Sequence, residues 1–390
     1  MANELLEGLS DLGHRIECFL PGVERDVPPR LTDRDNLLFR WGTSQWRWNR
    51  WYSKTKLVAF VSGLLARTLA SLRLRREVSR RHRADAFDVV FQFSSIEKVA
   101  APRRLAGAVP LVMFPTTHMA GELRWLLAER RLAWRCQPRR SFFAVAAIRV
   151  LRTFVQRRAI HSASLVICKS RVFREHLISD YAVAREDTIV IPDAVRLERF
   201  AELERKPAHP PIVLVLGRVA MRKGVEDVVS VAHALLERGI DARIRVVGGP
   251  DLSSDYTRLL DELPAENAEY ARRILPPKIP GELARASVLL QASKYEPFGL
   301  TAAEALAAGV PVVATSQVGA VEDVDRAVVA EVEPGDVDAM VRGIVSMLEE
   351  QRADGDGVAA TARSEARRLF AREVVCAQIS DALVALVERS

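Results

Sequence analysis

Residues 287–316 read SVLLQASKYEPFGLTAAEALAAGVPVVATS, and their pattern decides the class of fold. Two apolar runs, Val288-Leu289-Leu290 and Val310-Pro311-Val312-Val313-Ala314, flank a segment rich in Ala, Leu and Glu. Apolar runs on either side of a helical stretch are the mark of parallel strands, buried on both faces and joined by a crossover helix. Thr301 and Glu304 have the spacing of a capping box at the start of that helix, Gly309 stands where a C-cap belongs, and Pro311 prevents continuation. Between the first strand and the helix lies Lys294-Tyr295-Glu296-Pro297-Phe298-Gly299. This loop is at the carboxyl edge of a parallel strand, where open α/β sheets hold their ligands. Gly299 lets the main chain come close to a ligand, and the amides that follow suit phosphate charge, so a diphosphate is the expected guest.

A second segment has the same form. Residues 212–216 are a buried-strand run, followed by Gly217-Arg218, then Met221-Arg222-Lys223-Gly224 and a helix over 226–236. A strand, a glycine-containing turn with two cations, Arg218 and Lys223, and a helix together make a diphosphate clamp. RIRVVGGP (243–250) reads as another strand ending in glycines, and 271–275 as a shorter one before Pro276 and Pro277. Residues 337–348 form an amphipathic helix, 353–357 a loop, and 359–387 a further helical stretch.

At 390 residues the chain can bury two cores, since single cores stop growing near ~250 to 300 residues. Cys18, Cys136, Cys168 and Cys376 have neither zinc-site nor disulfide-framework spacing, which points to a reducing cytoplasm. No run reaches the ~18 to 20 apolar residues of a membrane span, and MANELLEGLSDLGHR has no signal-peptide pattern. A soluble or peripheral protein is expected. Charge is unevenly divided: residues 1–200 hold 35 Lys and Arg against 20 Asp and Glu, net +15, and the remainder holds 22 against 30, net −8, giving the total of +7. The first half therefore suits an anionic partner.

Within that half, residues 4–12 have helical spacing and 15–20 read as a strand, as do 87–93 and 109–114. RWGTSQWRWNRWY (40–52) holds four of the six tryptophans among arginines, and reads either as a stacking platform, as an interfacial anchor, or as a loop folded back on the core. Residues 67–83 form a basic helical stretch, more often a solvated face than a binding site. Residues 123–158 carry ten arginines among large apolar residues, with a break at Pro138. That is the pattern of an interfacial helix on an anionic leaflet, or of a helix packing one face on a sheet with its arginines in water. Nothing matches a nucleic-acid module, so nucleic acid is not an expected partner.

The letters of the opening stretch say more than its physics. Glu296 and Glu304 stand in E-P-F-G-L-T-A-A-E, followed by A-x-A-x-G-x-P-V-V-A, which resembles the E-x7-E motif of retaining glycosyltransferases of family 4, with the two-domain GT-B fold. G-R-x-x-x-x-K-G at 217–224, RRAIHSASLVICKS (157–170) and DTIVIPDAVRLERF (187–200) resemble further segments of that family. The resemblance implies an α/β architecture of two Rossmann-like domains facing an interdomain cleft: an acceptor-side domain over 1–200, a nucleotide-sugar domain over 201–370, and a helix over 371–390 crossing back to the first. The first strand and Gly-rich loop of the N-terminal domain are missing from this expected pattern. It further implies that Arg218 and Lys223 bind the donor's phosphates, that Glu296 contacts the transferred sugar, and that the Phe298, Gly299, Leu300 and Thr301 segment meets sugar and phosphate. Glu304 would take the ribose hydroxyls, and His118, after the strand at 109–114, would face the sugar. Thr116-Thr117 before that histidine and Met119-Ala120-Gly121 after it depart from the family's usual context, as Asp193, Ala194 and Arg196 do in the linker.

The expected activity is retaining transfer from a nucleotide-diphosphate sugar to a hydroxyl acceptor, such as a lipid-linked or cell-envelope glycan, with no metal or other cofactor. The expected location is cytoplasmic, peripheral on the inner face of the plasma membrane. Two alternatives stay open: a non-catalytic, membrane-associated assembly protein of this fold, and a phosphorylase or synthase using another activated donor.

Overall fold

A computed structural model of the protein describes residues 2–20, 27–41, 72–93, 109–136, 138–250 and 256–389. The tryptophan-rich segment therefore lies outside the described residues beyond Trp41, as do positions 67–71 of the basic helical stretch.

In the first half, α1 (Ala2–Asp11) leads into β1 (Ile16–Leu20), and α2 (Pro29–Thr32) into β2 (Leu37–Trp41). A helix over 72–84, α3, precedes β3 (Val90–Phe93) and β4 (Leu111–Phe114). Then come α4 (Met119–Ala128), α5 (Arg130–Cys136), α6 (Arg139–Ile160), β5 (Leu165–Cys168), α7 (Arg171–Tyr181) and β6 (Thr188–Val190). The strands form two parallel sheets, β1-β2 and β3-β4-β5-β6; among the described residues no strand joins β1 to β3.

The second half is one parallel six-stranded sheet. Its strands are β7 (Ile212–Leu216), β8 (Arg243–Val247), β9 (Ala268–Tyr270), β10 (Ala286–Gln291), β11 (Val312–Thr315) and β12 (Val329–Val332), in the order β12-β11-β10-β7-β8-β9. Its helices are α8 (Val225–Glu237), α9 (Ile279–Arg285), α10 (Leu300–Ala307) and α11 (Val337–Phe370), with α12 (Arg372–Glu388) following. The two apolar runs of the opening stretch are neighbouring parallel strands, Leu289 opposite Val312, with α10 as their crossover. Their lack of alternation has a simple cause. Val213, Val288, Leu290 and Val313 join the core beneath α8, whereas Ile212, Leu214, Leu289 and Val312 join the core beneath α10, so both faces need apolar side chains.

Four local expectations change. The capping box does not form: Gly299, at φ 105°, is the N-cap of α10 and no side chain caps it, so Thr301 lies inside the first turn. The end of that helix does follow the sequence, with Gly309 at φ 81° and the Val310 amide bonded back to the Ala305 carbonyl. The short strand expected over 271–275 is instead Ala268–Tyr270; Arg272, at φ 56°, turns the backbone out of the ladder. The expected loop at 353–357 is a kink at Asp354 within α11, where the Asp354 carboxylate accepts from the Gly357 amide and restarts the helix. That kink lets α11 cover both faces of the sheet, with Met340, Ile344 and Leu348 in one core and Ala362, Ala366 and Phe370 in the other. The helical stretch expected over 359–387 is broken at Ala371, which has extended ψ 139° and separates α11 from α12.

The chain then returns to its beginning: Val375, Cys376, Ile379 and Leu383 of α12 share a core with Leu5 and Leu9 of α1 and with Val112, Phe114 and Ile167 of the first-half sheet. A close backbone approach in the second half is at Gly224, whose φ is 64° and whose missing side chain leaves room for the Ala292 carbonyl. Gly224→Ala would combine a left-handed backbone with a collision against main chain. It is expected to lower the unfolding free energy by more than about 2 kcal/mol in urea titrations.

Candidate active site

The carboxyl ends of β7 and β10 bring two loops together. After β7, Met221–Lys223 form a 3-10 turn that ends at the left-handed Gly224 and feeds α8. After β10 comes the loop that holds Glu296. Arg222 and Lys223 both reach across to it: Arg222 Nη1 donates to Glu296 Oε2 at 2.7 Å and Lys223 Nζ donates to the same oxygen. The backbone repeats the link, with the Lys294 amide donating to the Arg222 carbonyl at 2.9 Å and Arg222 Nη1 to the Tyr295 carbonyl at 3.3 Å. All three charged side chains are largely buried, at 13% exposure for Glu296, 17% for Arg222 and 18% for Lys223. Burial alone would raise the Glu296 carboxyl, but Lys223 and Arg222 outweigh it and hold the pKa at about 2. Burial pushes the Lys223 ammonium below its ordinary value, and the neighbouring charges of Arg222 and Arg218 add to that against the pull of Glu296.

Arg218 is exposed and, with Lys223, lines a recess whose walls include Gly217, Val246 and Gln291. Gln291 ends β10, is 6% exposed, and neither atom of its amide has a hydrogen-bond partner. The two cations and an unsatisfied buried amide thus share one hollow at strand ends. Arg222 and Gln291 were not singled out from the sequence. Arg222 sits in the quoted turn, but its partner lies 74 positions away, and Gln291 follows an apolar run that reads as core.

The remaining expected residues are placed as follows. Phe298 is buried against Phe370 with ring centroids 5.5 Å apart, so only its backbone faces the loop. The amides of Leu300 and Thr301 open α10 and have no acceptor within the helix. Glu304 lies one turn further on; its Oε1 accepts from Arg199 Nη1 at 3.2 Å, and burial raises its carboxyl despite that arginine. Its partner is Arg199, not the cations of the turn.

His118 is the N-cap residue of α4 and has no exposed surface. Tyr295 covers it, with its hydroxyl 2.9 Å from His118 Nδ1, and Gly121 supplies the room, since a Cβ there would press on both rings. His118 Nε2 lies 3.2 Å from Asp180 Oδ2 without hydrogen-bond geometry. Burial, with Arg124 beside it, lowers the imidazole to about 3, so the ring is neutral. His118 thus reaches the Glu296 loop through Tyr295. The linker departures also have partners. Asp193 forms a buried pair with Lys169 at 2.8 Å, and Arg196 holds Glu4 of α1.

The two halves close over these loops. Ser170 Oγ donates to the Pro297 carbonyl at 2.9 Å, and the Glu322 carboxylate accepts from the amides of Arg171 and Val172, each at 2.7 Å, at the N-terminus of α7.

A family profile described as Glycosyltransferase Family 4 matches residues 1–199, and one described as Glycosyl transferases group 1 matches residues 198–365. The chain belongs to glycosyltransferase family 4. Among curated relatives of this chain, mannosylfructose-phosphate synthase of Agrobacterium fabrum is 29% identical over 172 residues, covering 40% of this chain and 38% of that protein. GDP-mannose-dependent alpha-(1-6)-phosphatidylinositol dimannoside mannosyltransferase of Mycobacterium tuberculosis is 28% identical over 232 residues, covering 57% of this chain and 58% of that protein. The chain thus spans about half the length of the curated relatives it matches. Among solved structures, sucrose-phosphate synthase of Thermosynechococcus elongatus superimposes with a TM-score of 0.68 at 18% identity, covering 99% of this chain and 92% of that one. HepE of Anabaena, in complex with UDP and glucose, does so with a TM-score of 0.63 at 17% identity, covering 99% and 96%. The fold is GT-B, with parallel sheets in two domains.

Removing the carboxylate tests the cluster. Glu296→Ala would leave Arg222 and Lys223 buried without a counter-charge, and is expected to cost about 3–5 kcal/mol of unfolding free energy by urea titration. The folded Glu296 carboxyl, at about 2, lies below its unfolded value near ~4.3. Its stabilising contribution is therefore complete above about pH 5 and is lost as pH falls toward about 2. Glu296→Gln should flatten that part of the stability–pH curve.

Proposed function

We propose that the protein is a retaining glycosyltransferase that moves a sugar from a nucleotide-diphosphate sugar to a hydroxyl acceptor. The observation that carries this reading is the recess at the strand ends, lined by Arg218 and by Lys223, which also bonds to Glu296. As the glycosidic bond breaks, negative charge develops on the departing phosphate oxygen, and fixed cations stabilise it there. Arg218 and Lys223 take that part, so no metal is required. Both cations hold Glu296 Oε2, which leaves Oε1 to accept from a sugar hydroxyl. The opening amides of α10 and the Gln291 side chain complete the donor contacts, and Glu304 binds the ribose. His118 holds Tyr295 and so positions the Glu296 loop. Retention requires attack on the face that the phosphate leaves. With Glu296 occupied by two cations, the departing phosphate itself accepts the acceptor's proton in a front-face reaction.

The acceptor lies on the basic first half, and a lipid-linked or cell-envelope glycan suits its charge. A phosphatidylinositol-mannoside mannosyltransferase among the relatives supports an acceptor of that kind. In the same reading the protein is cytoplasmic and peripheral on an anionic membrane; no helix among the described residues is long and apolar enough to cross one.

Calorimetry with UDP and GDP tests the donor site: one nucleotide should bind, and Arg218→Ala should weaken it at least about tenfold, the loss of a charge-assisted phosphate contact. Radiolabelled transfer from a panel of nucleotide sugars should then proceed in the presence of a chelator. Binding without transfer or hydrolysis from any donor would favour a non-catalytic assembly role.

A further inference from the structure

The helix α6 presents two opposite faces. One is anchored in the molecule: Phe142 is buried, and the buried Gln156 accepts from the Met119 amide at 2.8 Å and donates to the Thr117 carbonyl at 2.6 Å. Those bonds hold the loop that carries His118. The other face is apolar and open. Phe143 is 60% exposed, Val150 41%, Leu151 58% and Phe154 65%, spaced at i, i+7, i+8 and i+11 along one side of the helix. Arg139 and Arg140 precede this stripe, Arg157 and Arg158 follow it, and all four are exposed. None of the four forms an ion pair with an acid among the described residues.

We infer that this face of α6 is a docking surface for an anionic lipid bilayer, with the helix lying in the plane of the interface. The inference rests on the membrane part of the proposed function and is independent of the donor. A 22-residue helix, about 33 Å long, with large apolar side chains in the middle and guanidinium groups at both ends, can sink its centre into the acyl boundary. The arginines then meet lipid phosphates at the headgroup level. Charge decides against a second copy as the occupant, because pairing two such faces would bring eight guanidinium groups together. The docked face is one helix thickness from the Thr117–Met119 loop. A lipid-linked acceptor would therefore enter along the membrane surface beside the first-half wall of the site.

The test uses sedimentation of the full chain with vesicles of phosphatidylglycerol and phosphatidylcholine, and of phosphatidylcholine alone. The protein should bind the anionic vesicles, and high salt should weaken but not abolish binding. The triple variant F143S/L151S/F154S, whose side chains are exposed and whose thermal unfolding should be unchanged, should partition at least ~100-fold less well. R140E/R158E should lose binding to the anionic vesicles. The inference is overturned if the unaltered chain does not bind, or if the triple variant binds as well as it does; in the second case the attraction is diffuse charge alone. It is also overturned if the unaltered chain self-associates on size exclusion and the triple variant does not, which would make a second copy the occupant. UDP and GDP calorimetry on the triple variant separates this result from the donor reading, since nucleotide binding should persist whether or not vesicles are bound.

Discussion

One carboxylate held between two cations organises the site. Arg222 and Lys223 are adjacent in a turn that leaves both side chains mostly out of water, and without Glu296 their charges would oppose each other there. The carboxylate crosses from the neighbouring strand's loop, and its pairing is reinforced by backbone bonds between the same two loops. The turn after β7 and the loop after β10 are thereby one rigid unit. The pair of cations is only partly neutralised, so the recess keeps positive charge, with Arg218 adding to it at the open side. A buried network of this kind is expensive to break and specifies one arrangement of its members.

From that unit the structure reaches into the first half by Tyr295, next in sequence to Glu296. Its ring fills the space above Gly121, and its hydroxyl meets His118. Around this contact the halves exchange polar partners, Ser170 with Pro297 and Glu322 with the first amides of α7. Apolar side chains of α4, α5 and α6 also join the core beneath α8. The closed arrangement is therefore held by packing as well as by hydrogen bonds, and water is kept from the neighbourhood of Glu296.

The β10–α10–β11 unit was legible in the sequence because its signals are local: apolar runs, a helical composition between them, and a glycine and a proline that stop the helix. The strand, turn and helix of 212–237 were legible for the same reason. What failed to show were choices made by distant partners. Thr301 and Glu304 have capping spacing, yet Gly299 takes the cap because the loop enters the helix with a positive φ that threonine disfavours. The Arg222 pairing depends on a residue in another loop, and the burial of His118 depends on Tyr295 arriving from the other half. The loop at 353–357 became a kink because one helix must pass from the first face of the sheet to the second, which no local periodicity records.

The packing of α12 on α1 carries a consequence for biosynthesis. Gly8 faces Cys376 so closely that a side chain at Gly8 would strike its sulfur, so these two helices are each other's cover. Leu5 and Leu9 leave the ribosome long before Val375 and Ile379 do, by tens of seconds at ordinary rates of about 5–20 residues per second. Through that interval the amino-terminal core stays open. Its completion waits for the carboxyl-terminal segment, and the half made first is the half finished last.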